Sequence, residues 1–114
     1  GDVYKRQLTG DYVIHTVGPV WNGGGKNEAE FLGQCYYNSM KVALENGIRR
    51  IAFPSISTGI YCFPVEQAAK IAVRTVNSFL NENEQAFELV EWVLFDDYTK
   101  QVYDEAVEKL RQGI

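Results

Sequence analysis

Histidine and cysteine are scarce in this chain, with one and two copies in 114 residues. Cys35 and Cys62 make no Cys-x-x-Cys pair and have no histidine beside them, so the common zinc spacings are missing and reduced thiols are expected. His15 lies in the β-branched run YVIHTV, where a hydrogen-bonded strand residue is expected rather than a catalyst. No metal site and no cofactor are expected. Basic clusters are equally sparse. Arg49-Arg50 is the only local one and the net charge is −4, which opposes broad attraction to nucleic acid. A polyanionic ligand would therefore have to be held by backbone N–H groups. No apolar run approaches the roughly 18–20 residues needed to cross a bilayer, and no charged-then-apolar leader is visible, so a cytoplasmic protein without membrane contact is expected. A Walker phosphate loop, internal repeats and low-complexity tracts are also missing.

What is present is ordinary globular material, 46% hydrophobic and 23% charged, enough for one domain at most. Tyr12–Val17 reads as a strand ended by Gly18-Pro19. After the loop WNGGGKN, apolar residues Phe31, Leu32, Cys35, Tyr36, Met40, Ala43 and Leu44 recur at three- and four-residue steps, predicting a helix from Glu28 that stops at Asn46-Gly47 with a left-handed cap. Ile51–Phe53 is an unbroken apolar strand. The next helix opens with Pro64 and carries the stripe Val65, Ala68, Ala69, Ala72, Val73, Val76, Phe79 and Leu80. Leu89–Phe95 is a third strand, and Thr99 is expected to cap a last helix with inner face Val102, Tyr103, Ala106, Val107 and Leu110. Alternating strands and helices predict an α/β fold with a mostly parallel sheet and helices on both faces.

The stretch SISTGIYCFP, Ser55–Pro64, lies between a buried strand and a helix, at the edge of the sheet where ligands of such folds collect. Its small side chains let backbone approach a ligand closely, and its amides sit just ahead of the positive end of the Pro64 helix. Those are the ingredients of a phosphate cradle without lysine, with Gly59 turning the amides toward one point and Tyr61 and Phe63 offering flat cover. A loop of this composition is equally that of a plain turn.

The segments YVIHTVGPVW, CYYNSMKVALENGIRRIAFPSISTGIYCFP and AAKIAV closely resemble the macrodomain family, especially its ADP-ribose hydrolases and O-acetyl-ADP-ribose deacetylases, from about Leu8 onward. The resemblance implies a three-layer α/β/α sandwich, here truncated to about three strands and three helices, that binds ADP-ribose across the carboxyl edge of its sheet. It places the diphosphate and distal ribose on the backbone of Ser57, Thr58, Gly59, Ile60 and Tyr61, with Ser55 and Ile56 shaping the approach and Phe95 and Asp96 bordering the adenine. Cys62 stands where the family more commonly has glycine, and is expected as a tolerated small residue on an ordinary backbone angle. Thiol catalysis by it is not expected, since nothing in the sequence links His15 to it.

Similar proteins begin with an acidic opening strand, an Asn-rich turn and a glycine-rich catalytic loop, all preceding the segment that matches Tyr12–Val17. No catalytic residue is therefore assigned, and Gly23-Gly24-Gly25 is expected as a variable surface loop. Asp2–Gln7 reads back as GATGTGTATAAGAGACAG, a transposon end used in preparing sequencing libraries. Residues 1–7 are accordingly expected to be a non-native leader and 8–114 the C-terminal two-thirds of a macrodomain. The implied partner is ADP-ribose or an ADP-ribosylated protein, with self-association through uncovered sheet surface. The alternatives to an eraser of ADP-ribose are a non-catalytic reader, a nucleic-acid binder working through the same loop, and an inactive fragment.

Overall fold

The computed structural model describes residues 2–5, 12–15, 18–56 and 62–113. Strands β1 (Asp2–Lys5) and β2 (Tyr12–His15) are followed by α1 (Glu28–Glu45), β3 (Arg50–Phe53), α2 (Val65–Glu82), β4 (Leu89–Trp92) and α3 (Asp97–Arg111). The sheet order is β1-β2-β3-β4, with β1 antiparallel to β2 and the other neighbours parallel. The α/β class, the three helices and the mostly parallel sheet are those predicted. The fourth strand, β1, comes from the segment expected as a leader.

Helix α2 packs against α1 on one side and α3 on the other, so the three described helices form one layer on one face of the sheet, where helices on both faces were expected. The strand order explains this for α1 and α2. Both parallel crossovers step in the same direction across the sheet, and right-handed crossovers then deliver their helices to the same face. The alanines of α2 make that central position possible. Ala68, Ala69 and Ala72 are buried and let its neighbours approach, as does Gly33 of α1, where an added Cβ would lie 3.4 Å from Thr75 Oγ1. Leu32, Tyr36, Met40 and Ala43 form the buried stripe of α1 over Ile51 and Phe53. The predicted stripe is wider than the buried one, since Phe31 is 54% exposed and Leu44 also faces solvent.

In the β3–β4 register, Ile51–Val90 and Phe53–Trp92 face the helices, while Arg50–Leu89 and Ala52–Glu91 face away. Leu89 (39% exposed) and Val93 (45%) are the large apolar residues of β4 and its end on that outer face.

Three local signals resolve as follows. Helix α1 ends as predicted, with Gly47 at φ +69° and the amides of Gly47 and Ile48 donating to Leu44 and Ala43 carbonyls, which returns Ile48 to the core. Pro64 is the residue before α2 rather than its first residue; its carbonyl accepts the Ala68 amide. Thr99 does not cap α3. Asp96 does, accepting the Thr99 amide at 2.8 Å and the Thr99 hydroxyl at 2.9 Å. A cap must precede the amide it serves by about three residues, and the carboxylate stands at that spacing.

Candidate ligand-binding site

Ser55 and Ile56 follow β3, and Phe95 and Asp96 follow β4, so these four predicted residues lie past the same carboxyl edge of the sheet. Ser57, Thr58, Gly59, Ile60 and Tyr61 lie outside the described residues. Phe95 is 90% exposed, free to cover a ligand rather than fill the core. Asp96 has both carboxylate oxygens engaged by Thr99, which hold its carboxyl below the usual range.

The start of α2 carries no side-chain cap, unlike that of α3. Among the described residues the only side-chain acceptor at this positive end of an 18-residue helix is the Glu66 carboxylate, which bonds its own amide. The two helix starts are tied together, because the Tyr98 hydroxyl donates to Glu66 Oε1. That bond lowers the Glu66 carboxyl and raises the Tyr98 phenol.

Cys62 has φ +59°. The expectation of an ordinary angle there is corrected. A Cβ is strained in the left-handed region, and that is the physical reason glycine suits the position. Phe63 follows as a buried residue, its ring 4.9 Å from that of Trp21.

Trp21 opens the glycine loop, which is more ordered in its bonding than surface punctuation. The Glu28 carboxylate, 2% exposed as a residue, accepts the amides of Asn22 (2.7 Å), Gly24 (3.0 Å) and Lys26 (2.6 Å). These bonds, that from Asn22 foremost, pull the Glu28 carboxyl down to about 2 against the opposing effect of burial. Gly23 and Gly24, at φ +82° and +88°, supply the turn that points the amides inward. The loop so closed stands against Phe63, at the exit of the predicted ligand loop.

A second buried group stands at the entry. Ser55 Oγ is 2.8 Å from the Tyr103 hydroxyl, Tyr103 is bonded to Tyr36, and Tyr36 accepts Trp92 Nε1 at 3.3 Å. The Ile56 amide also bonds Tyr36. Burial raises both phenols, Tyr36 the more, so they stay neutral and act as hydrogen-bonding anchors. Sequence reading placed Tyr36 and Tyr103 on inner helix faces but missed the network. The available signal was that a phenol on a buried face needs a partner for its hydroxyl. Among the described residues no group of three His, Cys, Asp or Glu side chains could hold a metal ion, and no helix is long and apolar enough to cross a membrane.

The sequence profile described as Macro domain matches residues 5–72, more than half the chain and inclusive of the whole stretch from β2 through the predicted ligand loop. The chain belongs to the macro domain family. Among its relatives is a macro domain-containing protein of Chlorobaculum tepidum, 54% identical over 101 residues that make up 89% of this macrodomain chain and 58% of the relative. An O-acetyl-ADP-ribose deacetylase of Klebsiella pneumoniae is 51% identical over 96 residues, 84% of this chain and 54% of that protein. Of solved structures, the Oceanobacillus iheyensis macrodomain with ADP superposes with TM-score 0.82 at 40% identity, covering 90% of this chain and 53% of that one. The Trypanosoma brucei macrodomain in complex with ADP-ribose gives TM-score 0.76 at 34% identity, covering 84% and 39%. This macrodomain sequence therefore spans little more than half the length of the curated relatives it matches.

Proposed function

We propose that this chain binds ADP-ribose at the carboxyl edge of its sheet. The observation that carries the reading is the position of Ser55–Tyr61 in a macrodomain chain, between the end of β3 and the uncapped start of α2. In this reading the amides of Ser57, Thr58, Gly59, Ile60 and Tyr61 hold the diphosphate and distal ribose, Ser55 and Ile56 shape the approach, and Phe95 and Asp96 border the adenine. Backbone donors at a helix start suit an acidic chain, since they bind phosphate without a basic surface. The names of the Klebsiella relative and of the ADP- and ADP-ribose-bound structures support the ligand class.

For the whole protein we propose removal of ADP-ribose from modified proteins or deacetylation of O-acetyl-ADP-ribose, by orienting the substrate through its diphosphate toward a water. A reader that binds without cleaving is the second reading. It requires only the binding residues assigned above, none of which is a catalytic group. An ADP-ribosylated protein is the proposed macromolecular partner, a second copy on the outer β4 face a further one, and the cytoplasm the proposed location.

Calorimetric titration of the chain with ADP-ribose, beside AMP and inorganic pyrophosphate, tests the reading. Saturable binding of ADP-ribose, stronger than either fragment, is expected. No heat and no thermal shift with ADP-ribose refutes it. Incubation of the full-length protein with a mono-ADP-ribosylated substrate then separates eraser from reader.

A further inference from the structure

Tyr103 is 3% exposed and belongs to α3, yet its hydroxyl reaches Ser55, the second residue past β3, at 2.8 Å. Tyr36, from α1, stands behind it, bonded to Tyr103 and to the Ile56 amide and accepting Trp92 Nε1 from β4. The two residues that lead into the proposed ligand loop are thus held from α1, α3 and β4 together. Apolar packing does not account for the hydroxyls. Phenylalanine would occupy almost the same volume at 36 and 103, and the rings already meet Phe53 and Trp92 at centroid distances of 5.0 Å for Tyr36–Phe53 and 5.7 Å for Trp92–Tyr103. What phenylalanine could not do is grip Ser55 and the Ile56 amide.

We infer that Tyr103, backed by Tyr36, is a positioning residue for the ligand loop, its hydroxyl setting the direction in which the chain leaves β3 through Ser55 and Ile56. The inference rests on the proposed ADP-ribose site. It assigns no contact between Tyr103 and the ligand. Its effect passes through Ser55, so the two residues act as one unit.

The test compares Tyr103→Phe, Ser55→Ala and their double variant with Val102→Ala, a neighbour on α3 that packs in the core without joining the network. Titration with ADP-ribose is expected to show affinity lowered about three- to tenfold by Y103F, the range of one hydrogen bond. The double variant is expected to lose no more than the larger single loss. Val102→Ala is expected to lower the melting temperature while leaving affinity within about twofold, the spread of a site not coupled to the change. Amide exchange at Ser55 and Ile56 in the ligand-free chain is expected to accelerate in Y103F and not in V102A. Equal affinity losses in Y103F and V102A, or additive losses in the double variant, overturn the inference. If the unaltered chain shows no binding, the ligand reading fails and exchange decides the positioning claim alone: acceleration confined to Y103F upholds it, and unchanged exchange overturns it.

Discussion

Replacing Cys62 by glycine should stabilise the chain. Cys62 holds φ +59° between the predicted ligand loop and buried Phe63, and its side chain is exposed. A left-handed angle costs an L-residue about 1–2 kcal/mol, because Cβ crowds the following carbonyl oxygen. Glycine removes that cost but returns about 0.5–1 kcal/mol through the greater freedom of the unfolded chain. The balance is a gain of about 0.5–1 kcal/mol. Cys62→Ala serves as the reference, since alanine keeps Cβ and the strain but loses the thiol. The informative quantity is therefore the difference between the glycine and alanine variants, in which any contribution of the thiol cancels. Urea unfolding followed by circular dichroism measures it, provided the slopes agree between variants. A glycine variant equal to or less stable than the alanine variant would refute the claim of strain at this position.

Acidification should release the glycine loop. Glu28 has a folded value of about 2 against 4.5 for the free group, so its contribution is complete above about 4.5 and is lost as pH falls toward 2. An acid titration of Trp21 fluorescence, read in a Trp92→Phe background, should show that transition, and Glu28→Gln should abolish it; an unchanged profile in E28Q counts against the clamp. Phe95→Ala should leave stability within about 0.5 kcal/mol, as for an exposed side chain, and weaken ADP-ribose binding about five- to a hundredfold if the ring stacks on adenine. Unaltered affinity would remove Phe95 from the site. Self-association through the outer face of β4 should disappear in the Leu89→Lys/Val93→Lys variant on analytical ultracentrifugation. A monomer before the substitution, or a dimer surviving it, refutes that contact.

Much of the architecture was legible along the chain because it is encoded locally. The three- and four-residue apolar spacing of Leu32 to Ala43 and of Ala68 to Phe79 marks two helices, and Gly47 marks where the first must stop. The family resemblance of Ser55–Pro64 and its flanks likewise needed only consecutive residues. Boundaries were less legible where two candidates stood close together, as with Asp96 and Thr99, since the choice depends on which oxygen faces which amide.

The site's supports were not legible at all. Glu28 reads as a solvent-facing acid of a first helical turn, and only the folding back of Asn22–Lys26 makes it the buried acceptor of three amides. Cys62 reads as a small residue on any backbone until its left-handed angle is seen. Tyr36, Trp92 and Tyr103 lie on three elements and Ser55 in the loop after β3, and nothing periodic in the sequence brings their polar atoms together. Helix and strand periods are properties of neighbouring residues and can be read from order alone. Hydrogen bonds between distant side chains depend on how the strands stack and which helix faces meet, and the folded chain alone determines that.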